Sequence, residues 1–100
     1  MDFSIIVPCH NLENEIKNLL LSFHMLELED ITYEIIFVLD NCTDKTQKVI
    51  EHYMYDMEYK IITCSMGSPG LARNAGLDEV KGDFIWFVDG DDWIINPWIL

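Results

Sequence analysis

Residues 33–44 read YEIIFVLDNCTD, an apolar run that breaks off at Asp40 into a polar turn. The run is rich in Ile, Val and Phe with little polar alternation, which is typical of a strand covered on both faces in a parallel sheet. Three further strand-like runs occupy residues 3–8 (FSIIVP), 59–64 (YKIITC) and 83–88 (DFIWFV). The sequence therefore predicts four strands, three of which have the composition of buried parallel strands.

Helical patterns fill the intervals between these runs. Apolar residues recur at helical spacing over positions 12–26, with Asn11 as the N-cap and acidic residues in the first turn. Thr43 is expected to cap a second helix, and Ser68, which precedes a proline, is expected to open a third that stops near Gly82. The order β-α-β-α-β-α-β predicts an α/β fold, an open, mostly parallel and doubly wound sheet with right-handed crossovers.

The composition limits the class of protein. Half of the 100 residues are apolar, so one small domain with a real core is expected. Eighteen acidic residues against six basic ones give a net charge of -12, a surface that repels nucleic acids and anionic lipids. No apolar stretch reaches the roughly 18 residues that a membrane span needs. Three cysteines in irregular spacing, Cys9, Cys42 and Cys64, indicate free thiols and a cytoplasmic location.

The final positions are unusually apolar, with Trp93, Ile94, Ile95, Trp98, Ile99 and Leu100 among the last eight. Exposed apolar patches of this kind mark an interface or a missing partner. We therefore interpret residues 1–100 as a single partial domain whose sheet is truncated to about four strands. We also expect self-association through residues 93–100; the alternative is a terminal helix that docks on its own sheet.

Acidic residues follow the fourth run directly, as Asp89, Gly90, Asp91 and Asp92. Ligands of open parallel sheets lie beyond the carboxyl ends of the strands, which is where this turn falls. Mg²⁺ and Mn²⁺ take oxygen ligands, usually one or two carboxylates together with substrate phosphates. Gly90 permits a sharp turn that aims two carboxylates at one point. An ordinary acidic turn is the alternative, and the apolar strand before it favours a metal site.

Two further residues fall at the same rim of the predicted sheet. Asp40 ends the second run and can accept a hydrogen bond from a base N–H or a ribose hydroxyl; the alternative role is to cap the next helix, which Asp44 fits better. Arg73 is the only arginine and lies in the third helix near its start. Free helix N–H groups and a guanidinium suit a diphosphate, although a surface salt bridge is the more usual role of a helical arginine.

Four segments together resemble the family-2 glycosyltransferases of the GT-A fold. They are SIIVPCHN (4–11), IIFVLDNCTDKT (35–46), GLARNAGL (70–77) and GDFIWFVDGDD (82–92). Each motif alone is weak, and their common order and spacing make the resemblance specific over nearly the whole chain. The sequence departs from the family pattern at Cys42, where serine is usual, and at His10, where tyrosine is commonest.

The resemblance implies a donor-nucleotide half of a transferase that moves a sugar from a nucleotide-sugar, most often UDP-linked, to an acceptor hydroxyl in bacterial polysaccharide or glycan biosynthesis. By that resemblance, Pro8 and His10 line the nucleotide pocket, Asp40 reads the base, Arg73 lies near the nucleotide, Asp89 lies near the ribose and metal, and Asp91 binds Mn²⁺ or Mg²⁺. The catalytic base is expected beyond Leu100. The acceptor is not specified by these motifs.

The same residues argue against several other functions. A nucleotidyltransferase should carry a glycine-rich, basic loop after the first strand, where Cys9 to Leu12 offers none. A phosphoacceptor signalling domain would need acidic residues at that position. A non-catalytic nucleotide-binding fragment is the remaining alternative. Neither a G-x-G-x-x-G segment after the first strand nor a Walker A sequence occurs, and the cysteines match no zinc pattern.

Overall fold

The computed structural model describes residues 2–25 and 31–90, within which four strands and three helices alternate. They are β1 (Phe3–Cys9), α1 (Ile16–Met25), β2 (Tyr33–Asp40), α2 (Thr46–Tyr53), β3 (Tyr59–Cys64), α3 (Pro69–Leu77) and β4 (Phe84–Phe87). The four predicted strands are confirmed to within one residue at each end. Residues 91–100, which include Asp91 and the apolar segment 93–100, lie outside the described residues.

All four strands are parallel and form one sheet in the order β3-β2-β1-β4. From β1 the chain steps outward to β2 and β3, and then returns to the opposite side of β1 as β4. The order therefore reverses between β1 and β4. Crevices beyond the carboxyl ends of the strands at such a reversal are the usual ligand sites of open α/β sheets.

Helices cover both faces of this sheet, which confirms the predicted doubly wound architecture. Successive side chains of a strand point to opposite faces. Accordingly, Ile5 and Val7 of β1 lie in one buried cluster with residues of α1 and α2. Ile6 lies in a second cluster with Ala72 of α3. Both central strands, β1 and β2, are buried from their second residue onward, as expected when each face carries a helix.

Helix α3 approaches the sheet unusually closely at Gly76. A Cβ atom at this position would lie 2.9 Å from Cγ2 of Ile6 and 3.1 Å from Cγ2 of Val38. Only glycine therefore fits between the helix and β1 and β2 at this spacing. Arg73 lies one turn earlier in the same helix, so this close contact also sets its distance from the carboxyl ends of the strands.

The first helix starts later than the sequence predicts, at Ile16. Asn11 is not its N-cap: it has a left-handed backbone (φ 49°), and its Oδ1 accepts hydrogen bonds from the N–H groups of Thr43 at 2.8 Å and Asp44 at 3.2 Å. The N–H of Glu13 donates to Oδ2 of Asp44 at 3.1 Å. Residues after β1 are thus bonded to the loop after β2 before the helix begins. The prediction that α1 starts directly after Asn11 is therefore wrong.

The predicted N-cap is wrong for α2 and confirmed for α3. Thr43 does not cap α2, which begins at Thr46 with Lys45 at the N-cap and no side-chain cap hydrogen bond. Oδ1 of Asp44, one residue before the cap, accepts the N–H of Thr46 at 3.0 Å. Ser68 caps α3 as predicted, since its Oγ accepts the N–H of Leu71 at 3.5 Å and a proline follows.

A buried carboxylate explains why α3 ends at Leu77 and not near Gly82. Oε2 of Glu34 accepts the N–H of Lys81 and the Ser4 hydroxyl, each at 2.7 Å. Oγ of Ser4 in turn accepts the N–H of Gly82 at 2.7 Å. These N–H groups are held by β1 and β2 and are not available to a continuing helix, so the segment before β4 forms a turn.

No helix within the described ranges is both long and apolar enough to cross a membrane.

Candidate functional site

A cleft of about 630 Å³ opens at the carboxyl ends of the strands, across the reversal between β1 and β4. The five residues predicted to bind nucleotide all line it: Pro8, His10, Asp40, Arg73 and Asp89. They come from β1 and its following loop, the end of β2, helix α3 and the residues after β4. The structure thus brings together side chains that are up to 81 positions apart in the sequence, from Pro8 to Asp89.

Asp40 organises the wall of the cleft that precedes α3. Its Oδ1 accepts the N–H groups of Met66 at 2.6 Å and Gly67 at 3.1 Å, and its Oδ2 accepts the N–H of Ser68 at 3.1 Å. Gly67 has a positive φ of 70°, a conformation that glycine adopts without strain. One carboxylate therefore shapes the whole connection between β3 and α3.

These bonds also determine the ionisation of Asp40. Burial of the carboxyl group raises its pKa, but the three backbone N–H donors and the nearby His10 act in the opposite direction and prevail, so the pKa lies below its ordinary value. Hydrogen bonds to the charged form stabilise that form. Asp40 is consequently a carboxylate whose charge is already engaged by the protein.

His10 is held by the backbone of the same aspartate. Its Nδ1 lies 2.8 Å from the carbonyl oxygen of Asp40. A carbonyl oxygen can only accept, so Nδ1 carries the proton of this hydrogen bond. The imidazole is exposed at the mouth of the cleft, with its Nε2 opposite the anchored nitrogen. His10 and Asp40 therefore form the part of the site at the ends of β1 and β2.

Arg73 and Asp89 face each other at the β4 side. Nη2 of Arg73 donates to Oδ1 of Asp89 at 3.0 Å, and the guanidinium carbon lies 5.8 Å from the centre of the Phe87 ring. Nε of Arg73 is buried and has no hydrogen-bond partner among the described residues. The arginine forms a salt bridge, which was the alternative considered from the sequence, but it does so with a residue that lines the cleft.

Gly90 is needed for packing as well as for a turn. A Cβ at this position would lie 2.5 Å from Cδ1 of Leu12 and 3.3 Å from Sγ of Cys9. A larger residue would therefore require the Leu12 side chain to move and would crowd Cys9. Glycine between the aspartates thus lets Asp89 lie beside the first strand, a reason that the sequence pattern did not reveal.

Acidic residues follow β4 in the sequence, the position predicted for a hard divalent cation. Asp89 presents a carboxylate that is 55% exposed, and Asp91 follows two positions later, outside the described residues. Within residues 2–25 and 31–90, no group of three or more histidines, cysteines or acidic residues is arranged to hold a metal. Mg²⁺ and Mn²⁺ do not require such a group, because one or two carboxylates plus substrate phosphates usually suffice.

The three cysteines offer little reactivity at this rim. Burial raises the pKa of the Cys9 thiol, and the charges of Cys42 and Asp44 act in the same direction. Burial also raises the pKa of Cys42 and of Cys64. Because the thiolate is the form that binds metals and attacks electrophiles, these residues behave as small protonated side chains.

Several lining residues were not among the predicted binding residues: Cys9, Leu12, Asn41, Gly67, Ser68, Ala72 and Gly90. The sequence marks Ser68 as a helix cap and Gly90 as a turn residue, both following strands at the predicted rim. Asn41 follows Asp40 at the strand end and has a positive φ of 53°, which asparagine tolerates better than most residues. Its position directly after Asp40, at the carboxyl end of β2, is the sequence feature that indicates a lining residue.

Comparison with known proteins assigns this arrangement to a known class. Residues 4–100 match the family model described as Glycosyl transferase family 2. The poly(ribitol-phosphate) beta-N-acetylglucosaminyltransferase TarS of Staphylococcus aureus (strain Mu50) is 36% identical over 96 residues, which cover 94% of this chain and 17% of that protein. The chain thus spans less than a fifth of that relative.

Solved structures agree in fold. The structure of S. aureus TarS 1-349 in complex with UDP-GlcNAc matches with a TM-score of 0.89 and 36% identity, over 99% of this chain and 29% of that one. The mannosyltransferase PcManGT of Pyrobaculum calidifontis, in complex with GDP-Man and Mn²⁺, matches with a TM-score of 0.86 over 95% of this chain and 29% of that one. Its 18% identity makes this second likeness evidence of the fold alone.

Proposed function

This chain belongs to glycosyl transferase family 2 and has the GT-A fold, and from that premise we propose that it supplies the donor-nucleotide half of a metal-assisted glycosyltransferase. The reaction is attack of an acceptor hydroxyl on the anomeric carbon of a UDP-linked sugar. The UDP complexes of TarS, at 36% identity, support the choice of donor nucleotide. The whole protein's reaction is inferred, because the chain covers 17% of TarS.

The observation that carries this proposal is the cleft at the strand reversal, with different chemistry at its two ends. Neighbouring strands are about 4.8 Å apart, so the ends of β2 and β4, on either side of β1, are separated by roughly 10 Å. His10 and Asp40 lie at one end, and Arg73 and Asp89 at the other. A nucleoside diphosphate likewise has two chemically different ends, a neutral base and a charged diphosphate.

Arg73 is the residue that we assign to the charged end. Its Nε is buried without a partner among the described residues, while Nη2 is bonded to Asp89. The Arg73 side chain is 36% exposed in the cleft, and a guanidinium forms strong hydrogen bonds with phosphate. Pro8 lines the cleft between the two ends, where it would contact the nucleoside.

Asp89 and Asp91 are assigned to Mn²⁺ or Mg²⁺, with Asp89 also near the ribose. When bound, the cation would offset the negative charge that develops on the departing diphosphate. The need for it follows from the charges present. At an effective dielectric constant near 20, two like charges about 5 Å apart repel by roughly 3 kcal/mol, and a single arginine cannot offset several such pairs. The base that takes the acceptor's proton stays a prediction, placed beyond Leu100.

The alternatives considered from the sequence are not favoured. The family match and the relatives are glycosyltransferases, which leaves the nucleotidyltransferase reading without support. A cytoplasmic location remains part of the proposal, resting on the free thiols of Cys9, Cys42 and Cys64.

Titration calorimetry of the full chain with UDP, in Mn²⁺ and in chelator, tests the proposal. Without metal we expect UDP to bind roughly 100-fold more weakly, because the phosphates then face the acidic rim uncompensated. Asp91→Asn should weaken binding in Mn²⁺ by about tenfold or more, since it removes a coordinating charge while keeping the shape.

Asp83→Asn is the matched control, since Asp83 is an exposed aspartate at the opposite end of β4 from the cleft. It changes the net charge by the same amount and should leave UDP affinity and its metal dependence as they are. Equal UDP affinity in chelator and in Mn²⁺ would refute the metal-assisted mechanism.

A further inference from the structure

The register of β4 is only weakly specified by the strand itself. None of its four residues is buried, and within the described residues it pairs with β1 alone. Register is strongly specified where one face of a strand is buried, and weakly specified where neither face is. Contacts outside the strand are therefore needed to fix the pairing of Phe84 with Phe3 that the structure shows.

The turn between α3 and β4 is bonded to buried side chains of β1 and β2. Oγ of Ser4 accepts the N–H of Gly82 at 2.7 Å, and Oε2 of Glu34 accepts the N–H of Lys81 at 2.7 Å. The Ser4 hydroxyl donates to the same Oε2 at 2.7 Å. Both side chains are buried, with Ser4 0% and Glu34 1% exposed. Two adjacent N–H groups just before β4 therefore have acceptors that the central strands hold in place.

Gly82 brings this turn into direct contact with the backbone of β1. A Cβ atom at this position would lie 2.4 Å from the carbonyl carbon of Phe3 and 2.5 Å from the nitrogen of Ser4. These are backbone atoms and cannot rotate aside as a side chain can. The N–H of Phe84 then donates to the carbonyl oxygen of Asp2 at 2.9 Å. The point at which β4 begins to pair with β1 is thus fixed by this turn.

The same turn joins the two elements that carry the charged end of the cleft. Arg73 lies on α3, eight positions before Lys81, and Asp89 lies beyond β4, seven positions after Gly82. Nη2 of Arg73 and Oδ1 of Asp89 are 3.0 Å apart. A slip of β4 by one residue would move it by about 3.3 Å and turn its side chains to the opposite face. Such a slip exceeds the tolerance of a hydrogen bond and would separate this pair.

We propose that Ser4 and Glu34 are positioning residues for donor binding, which fix the register of β4 from the amino end of the sheet and thereby hold Asp89 beside Arg73 in the cleft. The inference rests on the proposed function, in which Arg73 and Asp89 face the diphosphate and the metal. It extends that function to two side chains that do not line the cleft and that act through β4 without touching the ligand.

Calorimetry with UDP in Mn²⁺ tests this role in two variants of the full chain. Ser4→Ala removes the acceptor of the Gly82 N–H. Glu34→Leu removes the acceptor of the Lys81 N–H and leaves an apolar side chain of similar size. Each variant should bind UDP about tenfold more weakly than wild type, because the charged end of the cleft is no longer held in place.

Hydrogen exchange measures the register of β4 directly and without a ligand. The N–H of Phe84 donates to the carbonyl oxygen of Asp2 at 2.9 Å, and that of Val88 donates to the carbonyl oxygen of Ile6 at 3.0 Å. Both amides should exchange about tenfold faster in Ser4→Ala and in Glu34→Leu, because the first and last bonds between β4 and β1 open more often.

Two controls separate positioning from a general loss of stability. Glu34→Gln keeps one oxygen for the Ser4 hydroxyl and the Lys81 N–H, so its UDP affinity should stay within about threefold of wild type. Ile50→Val lowers stability within the buried cluster at α2, remote from the turn before β4. It should leave both UDP affinity and the exchange of the β4 amides as in wild type.

Wild-type UDP affinity in either Ser4→Ala or Glu34→Leu overturns the proposal, even where the β4 amides exchange faster, and leaves the proposed function intact. An equal loss of affinity in Ile50→Val or in Glu34→Gln also overturns it, because stability alone would then account for the result. A wild-type chain that binds no UDP in Mn²⁺ refutes the proposed function and this positioning role with it.

Discussion

A carboxylate far from the cleft shows how single residues maintain this fold. Glu34 of β2 is 1% exposed, accepts hydrogen bonds from Ser4 and the Lys81 N–H, and has Nζ of Lys60 3.6 Å from its Oε1. Burial raises the pKa of Glu34, but these hydrogen bonds and the lysine outweigh it, so its pKa lies below the ordinary value of 4.5. The ionised form is therefore the one that joins β1 and β2 to the segment before β4.

Glu34→Gln should lower the free energy of unfolding near neutral pH by about 1–3 kcal/mol, because an amide N–H₂ cannot accept from all of these donors. The lowered pKa means that the unfolded chain takes up a proton more readily than the folded one. The carboxylate's contribution is therefore fully present above about pH 4.5 and is lost as the pH falls through the folded-state pKa.

Urea unfolding at several pH values measures this difference. The gap between wild type and Glu34→Gln should narrow as the pH falls below about 4.5. Glu51→Gln, on the exposed surface of α2, is the matched control and should show little change. If the difference in unfolding free energy between wild type and Glu34→Gln stays constant down to the lowest pH measured, Glu34 is not ionised in the folded protein.

At the scale of elements, helix α3 contains two glycines with opposite roles. A Cβ at Gly76 would meet Ile6 at 2.9 Å and Val38 at 3.1 Å, whereas the nearest atom to a Cβ at Gly70 is Oγ of Ser68 at 3.7 Å. The helix propensity of alanine exceeds that of glycine by about 1 kcal/mol at either position. Packing therefore decides whether replacing each glycine by alanine stabilises or destabilises the protein.

Gly76→Ala should destabilise the protein by about 1–2 kcal/mol, since overpacking costs about 1–3 kcal/mol and the helical gain offsets part of it. Because the helix must move away from the sheet, UDP binding through Arg73 should weaken as well. Gly70→Ala should be neutral or stabilising by up to about 1 kcal/mol. Urea unfolding and calorimetry on both variants check this, and equal effects of the two substitutions would contradict the packing argument.

The elements also show where sequence patterns were reliable. All four strands were predicted to within one residue, because buried parallel strands are continuous apolar runs that end abruptly at polar turns. The start of α1 was missed because the polar residues after β1 bond to the loop after β2. Asn11 has the chemistry of an N-cap, but its partners, Thr43 and Asp44, lie in another loop.

At the scale of the whole molecule, the end strand β4 leaves apolar side chains exposed. Phe84, Ile85 and Phe87 are 65%, 42% and 43% exposed, and among the described strands β4 pairs with β1 alone. An exposed apolar edge strand favours association with another chain. This is compatible with the self-association expected for residues 93–100, which lie outside the described residues.

Association should strengthen with salt, because the net charge of -12 makes two copies repel each other at low ionic strength. Sedimentation velocity at about 0.05 M and about 0.5 M NaCl should show a larger associated fraction of the protein at the higher salt concentration. Phe84→Ser should reduce that fraction, and Tyr55→Ser, at an exposed aromatic outside the sheet, serves as its control. A monomer under both conditions would contradict the prediction.

The sequence by itself determined the strands, the doubly wound α/β class, the family and the rim on which the ligand site lies. Each of these follows from local signals: apolar runs, helical spacing and short motifs in a specific order. Asp40, Arg73 and Asp89 could be named because parallel strands place their carboxyl ends on one edge, and the family resemblance added Pro8 and His10.

Only the tertiary structure decided what those side chains contact. Asp40 bonds to N–H groups 26 to 28 positions away, and Arg73 pairs with Asp89 across the reversal of strand order. Such contacts depend on strand register and on how closely a helix approaches the sheet, as at Gly76. Hydrogen bonds are sensitive to distances of a few tenths of an ångström, and these distances are set by packing between segments that are remote in the sequence.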